Sequence, residues 1–448
     1  MDEPIRHPLA YARFLRGWSQ NDLVGQLRQA ARRRPEGLRC GVDKPAVSRW
    51  EHGRKKPDTE SQLLLADAFD VPISDLERYP WPHWLPGRED PVPLGSAYTV
   101  HSLRDAQRAV MDRERRTFLT YSALALAGLA TQWAALEPGR LATAADGGTR
   151  VDGELMTWLE ETGAKLAALP TEQRQHTVKL TEAHLDTVTD LLERGRFDER
   201  TGRRLHLLAS SLASTCGWYR FDQGQHYAAG KFWSAALSNA HTAQDRDQGA
   251  GVLADFAYQA IWLGRPDAAV EPLGQALVHT RHPVARATLR LRRARAHAAM
   301  GDAGACHDDL KAAEAALSAG RRDPAPSWCR WMSTADLSVD SGQCMLDLGR
   351  TDDARVRIGE GLSLLPRSRD KTRGVFRTYE ARSLIRAGEV EQALAVSAES
   401  LDLAQRIGAD RCVALVRDLG PEFRPYTAVD GVRDFLERLR SCGARREG

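Results

Sequence analysis

Three clusters of residues in this 448-residue chain have the types that chemistry needs. The first, GQHYAAGKF at 224–232, imitates a phosphate-cradling loop. Such a loop has four residues between its glycines and a Ser or Thr after the lysine to reach magnesium. Here five residues separate Gly224 from Gly230, and Phe232 follows Lys231. No nucleotide is expected there. The second, His307-Asp308-Asp309, has metal-ligating types, but consecutive helix positions point in different directions, so a solvated face is expected. HExxH, GxSxG and a strand-following GxGxxG are all missing from the sequence. Neither catalysis, a cofactor nor a metal is expected. The third cluster is cationic: residues 28–56 carry ten Lys or Arg against three acidic residues. A net charge of only +3 for the whole chain hides this window, which suits a polyanion such as DNA.

Composition narrows the class. Hydrophobic content of 42% and charged content of 27% are ordinary for globular domains, and the length calls for more than one core. The seven cysteines are scattered without a CxxC pair, so buried, reduced thiols are expected rather than disulfides or a zinc site. The N-terminus has no apolar secretory core. Arg115-Arg116-Thr117-Phe118-Leu119 followed by TYSALALAGLA resembles a twin-arginine export signal, yet its apolar run of about 13 residues is short of the ~20 that span a bilayer. A buried helix is expected there, with no membrane contact and a cytoplasmic, nucleoid-associated location.

The cationic window sits among short helix signals. Ser19-Gln20-Asn21-Asp22 reads as a capping box before LVGQLRQAARR. Asp43 caps a second helix, KPAVSRWEHG, with proline near its start and Gly53 closing it. Thr59 starts ESQLLLADAFD, Ser74 starts a last short helix, and PLAYARFLRG precedes them all. Five short helices in this order, with VSRWEHGRKKP, resemble the Cro/repressor (XRE) helix-turn-helix family, whose fold is λ-repressor-like. The resemblance implies that Val47 and Trp50 seat a recognition helix, while Lys44, Pro45, Ser48 and Arg49 enter the major groove. Arg49 would fork onto guanine and Lys44 would donate to the same edge. Gln20 would hold a phosphate, Arg54, Lys55 and Lys56 would follow the backbone, and Arg13 with Glu51 would form a buried structural ion pair. The family's tight turn is replaced by about a dozen extra residues, RQAARRRPEGLRC. These lengthen the second helix or add a basic loop, so Arg28, Arg32, Arg33, Arg34 and Arg39 either touch phosphates or solvate a surface.

Beyond residue 79 come five prolines between Pro80 and Pro93, which no helix or central strand tolerates. Helical patterning resumes at 101–136 and again from 153 to about 440. Five glycines there follow apolar helix ends: Gly224, Gly264, Gly301, Gly349 and Gly388, spaced by 40, 37, 48 and 39 residues. Seven positions before them stand Gly217, Ala257, Ala294, Gly342 and Ala381. Five after stand Ala229, Ala269, Cys306, Ala354 and Ala393; twelve after, Ala236, Ala276, Ala313, Gly361 and Ser400. Small residues let two antiparallel helices approach, and the glycine allows the turn. Trp233, Leu273, Leu310 and Ile358, nine after, are the knobs between them, and Ser397 breaks the column. The pattern resembles tetratricopeptide repeats over about 205–405, with repeats longer than the usual 34. In that family the position six before the turn glycine lines a groove. Here it is Trp218, Tyr258, Arg295, Gln343 and Arg382, a set suited to a ligand with an apolar and an acidic end, or to packing between repeats. Trp328 and Trp331, on a longer connection, are expected in core packing, a lid or a dimer contact.

The expected architecture is all-α: a helix-turn-helix domain over 1–79, a proline-rich linker over 80–100, connecting helices and a loop over 101–152, and a tetratricopeptide-like solenoid over 153–442. Together these suggest a DNA-binding transcriptional regulator on double-stranded DNA. Its repeats would dimerise or sense a peptide, small molecule or protein. The alternative is an interaction scaffold acting through protein–protein binding.

Overall fold

The computed structural model describes residues 8–15, 18–34, 40–51, 54–69, 94–111, 123–135, 150–168, 171–319 and 324–444, with 71, 76, 81–82, 84–85 and 121 between them. Among these residues there is no strand, only an isolated bridge between Arg150 and Arg196. The helices are α1 (Pro8–Leu15), α2 (Gln20–Arg33), α3 (Lys44–Glu51), α4 (Thr59–Phe69), α5 (Thr99–Met111), α6 (Ala123–Ala135), α7 (Gly153–Ala168) and α8 (Thr171–Arg194). Then come α9 (Glu199–Asp222), α10 (His226–Thr242), α11 (Arg246–Trp262), α12 (Asp267–His279), α13 (Pro283–Ala299), α14 (Ala303–Ala319), α15 (Thr334–Asp347), α16 (Thr351–Leu364), α17 (Asp370–Arg386) and α18 (Val390–Arg406). The chain ends on α19 (Asp410–Asp418), α20 (Gly420–Phe423) and α21 (Val432–Ala444). No described helix is long and apolar enough to cross a membrane.

Helices α1–α4 share their own apolar core, built on Leu9, Leu23, Leu27, Val47, Trp50, Leu65 and Phe69, with Trp84 packed against it. The Ser19 capping box is present: Ser19 Oγ accepts from the Asp22 amide at 3.2 Å, and the Ser19 amide donates to the Asp22 carboxylate at 2.7 Å. Asp43 accepts from the Ala46 amide at 2.8 Å and so caps α3. The residues that replace the tight turn lengthen α2 as far as Arg33. Gly53, Ser74 and Arg39 lie outside the described residues.

From α9 to α18 the chain forms five antiparallel hairpins, α9/α10, α11/α12, α13/α14, α15/α16 and α17/α18. All five turn glycines adopt φ between 72 and 81°. In each, the amide one residue on bonds back across the turn, as in Gln225 N to Arg220 O at 2.8 Å and Glu389 N to Leu384 O at 2.9 Å. This glycine-closed helix end satisfies carbonyls that would otherwise be orphaned. The small-residue columns work as inferred: Trp233 lies on Gly217, and a Cβ at Gly342 would come within 2.6 Å of the Ile358 side chain.

Helices α5 and α6 are built into the outside of the stack. Helix α5 packs on α8 and α10, and α6 packs on α12. Lys231 of α10 donates to Asp105 at 2.7 Å, so the lysine of the loop-like motif is occupied by a carboxylate of its own chain. Arg265 donates to the Tyr121 carbonyl at 2.7 Å. The fully buried Trp133 fills the space that Gly249 leaves open.

Candidate functional site on the concave face of the repeats

First helices of successive hairpins lie side by side, α11 against α13 and α13 against α15. The two ends of the stack then meet across them. Lys371 of α17 donates to Asp222 of α9, the Arg411 guanidinium of α19 lies 3.5 Å from the same carboxylate, and Arg411 Nη1 donates to Tyr258 Oη at 3.2 Å. A stack whose ends touch over its first helices is concave on that side.

Three of the five residues expected to line this face come together. Trp218 packs edge-on against Phe221 and Trp233 and is tilted against Tyr258, with centroids 5.5–5.7 Å apart. Arg295 pairs with Asp340 and stacks over Tyr379 at 5.4 Å. The other two are engaged further along: buried Gln343 donates to Asp347 at 2.8 Å, and Arg382 donates to Glu422 at 2.8 Å. Both arginines of the inferred acid-binding end therefore already face carboxylates of the chain.

Four neighbours complete the cluster: Asp255, Arg292, Asp340 and Tyr379. Each stands nine residues before a turn glycine, one helical turn ahead of the expected row and on the same helix face. Their signal was the order acid, base, acid, aromatic at one fixed offset. The Arg292 guanidinium lies 4.9 Å from the Tyr258 ring centre and 3.6 Å from Asp255, and it donates to the Ala254 carbonyl at 2.6 Å. Burial pushes Asp255 up to about 6, against Arg292 and hydrogen bonds from Ser214 and Trp218. Burial likewise lowers Arg292, with Asp255 opposing it. For Arg295 burial is outweighed by Tyr379 and Asp340, which hold its pKa well above the ordinary value. The face thus carries charges of alternating sign in a largely buried aromatic setting, where each is felt more strongly than in water.

The remaining candidates separate. In the α1–α4 domain, Lys44, Pro45 and Arg49 are exposed and Ser48 is half-buried, while Val47 and Trp50 on the opposite side of α3 are buried. Arg54, Lys55 and Lys56 are exposed just beyond. Glu51 accepts from Arg13 Nε at 2.7 Å and from Gln20 Nε2 at 2.5 Å, so Gln20 is engaged within the domain. Of the added basic residues, Arg28, Arg32 and Arg33 are exposed, whereas Arg34 makes a two-point pair with Asp67 at 2.6 and 2.9 Å. The solvated face expected at His307-Asp308-Asp309 holds for the first two only: Asp309 is buried and clasped by Arg290 and Arg293, and no metal-binding group of three occurs among the described residues. Trp328 packs over Gly251, while Trp331 is 40% exposed and donates to the Trp328 carbonyl at 2.8 Å.

No family model and no curated protein sequence matches the chain. Among solved structures it is similar to a Rap protein complexed with competence and sporulation factor, at 11% identity and a TM-score of 0.44, covering 78% of this chain and 98% of that one. It is also similar to aspartyl phosphate phosphatase F from Bacillus subtilis, at 12% identity and a TM-score of 0.38, covering 76% of this chain and 84% of that one.

Proposed function

We propose that this chain is a regulatory interaction protein whose repeats take a peptide or protein segment on their concave face. The observation that carries the reading is the half-buried pair Trp218 and Tyr258, set among arginines and carboxylates where the ends of the stack meet. Aromatic rings beside fixed charges offer a segment both apolar area and orientation. The test is selection of peptides from a displayed random library against the full chain. Selected peptides should bind at least ten-fold more weakly to Trp218→Ala. Peptides indifferent to both Trp218 and Tyr258 would overturn the reading.

A second activity in the same molecule is favoured by one feature of α3. Its cationic front, Lys44 and Arg49, is exposed, while its back is seated by Val47 and Trp50 and by the Arg13–Glu51 pair. On this reading α1–α4 bind double-stranded DNA as a helix-turn-helix module, and Lys44, Pro45, Ser48 and Arg49 meet base edges. Arg54, Lys55, Lys56 and the free face of α2 meet phosphates. Gln20 reaches a phosphate only by leaving Glu51. A homodimer formed through the repeats would set two such domains on half-sites ~34 Å apart. Partner binding would then act on transcription by favouring one spacing over another.

A further inference from the structure

Arg411 projects from the last part of the repeat stack into a box of four rings supplied by the first two hairpins. Its guanidinium carbon lies 5.9 Å from the Trp218 ring centre, 5.4 Å from Phe221 and 5.6 Å from both Tyr258 and Trp262. All four are within cation–π range, and the Arg411 side chain is only 11% exposed. We infer that this box is a binding site for a basic side chain, filled in the free protein by the chain's own Arg411, and that a partner segment bearing Arg or Lys competes for it. The inference rests on the concave-face reading above and names the chemistry of what that face takes.

Three observations single out Arg411 as the exchangeable occupant. Its Nε is buried without a hydrogen-bond partner, and so is Asp222 Oδ1, 3.5 Å away. The two are close enough to attract but share no hydrogen bond, so these two desolvated atoms stay unsatisfied, and the guanidinium is held by a single hydrogen bond, from Nη1 to Tyr258 Oη at 3.2 Å. Arg292, by contrast, stands over Trp218 and Tyr258 too, but it is held by a short hydrogen bond to the Ala254 carbonyl at 2.6 Å, on its own side of the face. Finally, the other arginines on this face already have acidic partners: Arg295 with Asp340, and Arg382 with Glu422. An incoming carboxylate would have to break one of those pairs. An incoming cation in place of Arg411 inherits the four rings and Asp222 with no change in local charge. Its arrival also removes one of the contacts that join the stack's two ends, so occupancy is coupled to the opening of the superhelix.

The test uses the full chain and N-acetyl-arginine amide as probe, with the uncharged citrulline analogue as control, followed by tryptophan fluorescence. Arg411→Ala vacates the box and should bind the arginine probe at least ten-fold more tightly than the wild type, with a clear preference over citrulline. Adding Trp218→Leu should abolish the gain. Arg411→Gln removes the charge and shortens the side chain while leaving a polar group and its aliphatic stem, and it carries the same expectation should Arg411→Ala fail to fold. A folded Arg411 variant that binds arginine no better than the wild type, or no better than citrulline, overturns the inference. The broader reading fails separately, when selected peptides ignore Trp218 and Tyr258.

Discussion

Trp233 on α10 lies so close to Gly217 on α9 that a methyl group at position 217 would overlap its indole ring. Alanine ordinarily favours a helix over glycine by about 1 kcal/mol, but overpacking a tight core costs about 1–3 kcal/mol. Gly217→Ala should therefore lower the denaturant midpoint. Gly274 on α12 is the matched control, because a Cβ there meets nothing within 4 Å. Gly274→Ala should stabilise by up to about 1 kcal/mol. Opposite signs in urea unfolding check the pair.

Buried Asp255 and half-buried His226 make opposing contributions to stability in mild acid. Burial raises Asp255 from 3.8 to about 6, so between these values the folded chain holds a proton that the unfolded chain releases. That contribution is lost as pH rises through the folded value. Burial, with Arg265 beside it, lowers His226 from 6.5 to about 4, so here it is the unfolded chain that binds the proton. Its contribution is lost as pH falls through the same window. Asp255→Asn should then melt with a steeper loss on going from pH ~6.5 to ~4.5 than the wild type, and His226→Gln with a shallower one. Thermal melts across that range show the slopes.

Glu51 ties together α1, α2 and α3 by accepting from Arg13 and Gln20. Removing one partner of a buried pair costs about 3–5 kcal/mol, and somewhat less here because the Arg13 side chain is 18% exposed. Glu51→Ala should speed amide exchange in α1–α3 and leave α9–α18 unchanged.

If α3 reads DNA, affinity should fall with salt at a log–log slope near −5 to −7 for ~6–8 phosphate contacts. Arg49→Ala should cost about 1–3 kcal/mol and relax a single base position, whereas Lys55→Ala should weaken all sequences alike. Binding measured on upstream fragments over a salt series decides between these outcomes and a flat response.

Much of this was legible in the sequence because it repeats or is local. The turn glycines, the small residues at fixed offsets and the Ser19 and Asp43 caps each leave a mark within a few residues, and each is found in the structure. The contacts that close the superhelix leave no such mark. Lys371 reaches Asp222 across 149 residues and Arg411 reaches Tyr258 across 153, and no periodicity predicts which helices meet after a full superhelical excursion. For the same reason Trp218, Tyr258, Arg295 and Asp340 fall on one face by their offsets, while the pairing of Arg295 with Asp340 and the four-ring setting of Arg411 leave no mark. The docking of Trp133 on Gly249 was equally hidden, since α6 reads only as a uniformly apolar helix. Gln244, which adopts φ 62° where glycine would be expected, also gave no sign of a turn.

The central claim is that this molecule works through the concave face of its repeats, and its most direct test is the affinity of library-selected peptides for point variants of the full chain. Trp218→Ala and Tyr258→Ala should each weaken binding at least ten-fold, with Lys44→Ala and Arg49→Ala leaving it unchanged. Equal affinity across all four variants, with each still folded, would contradict the account.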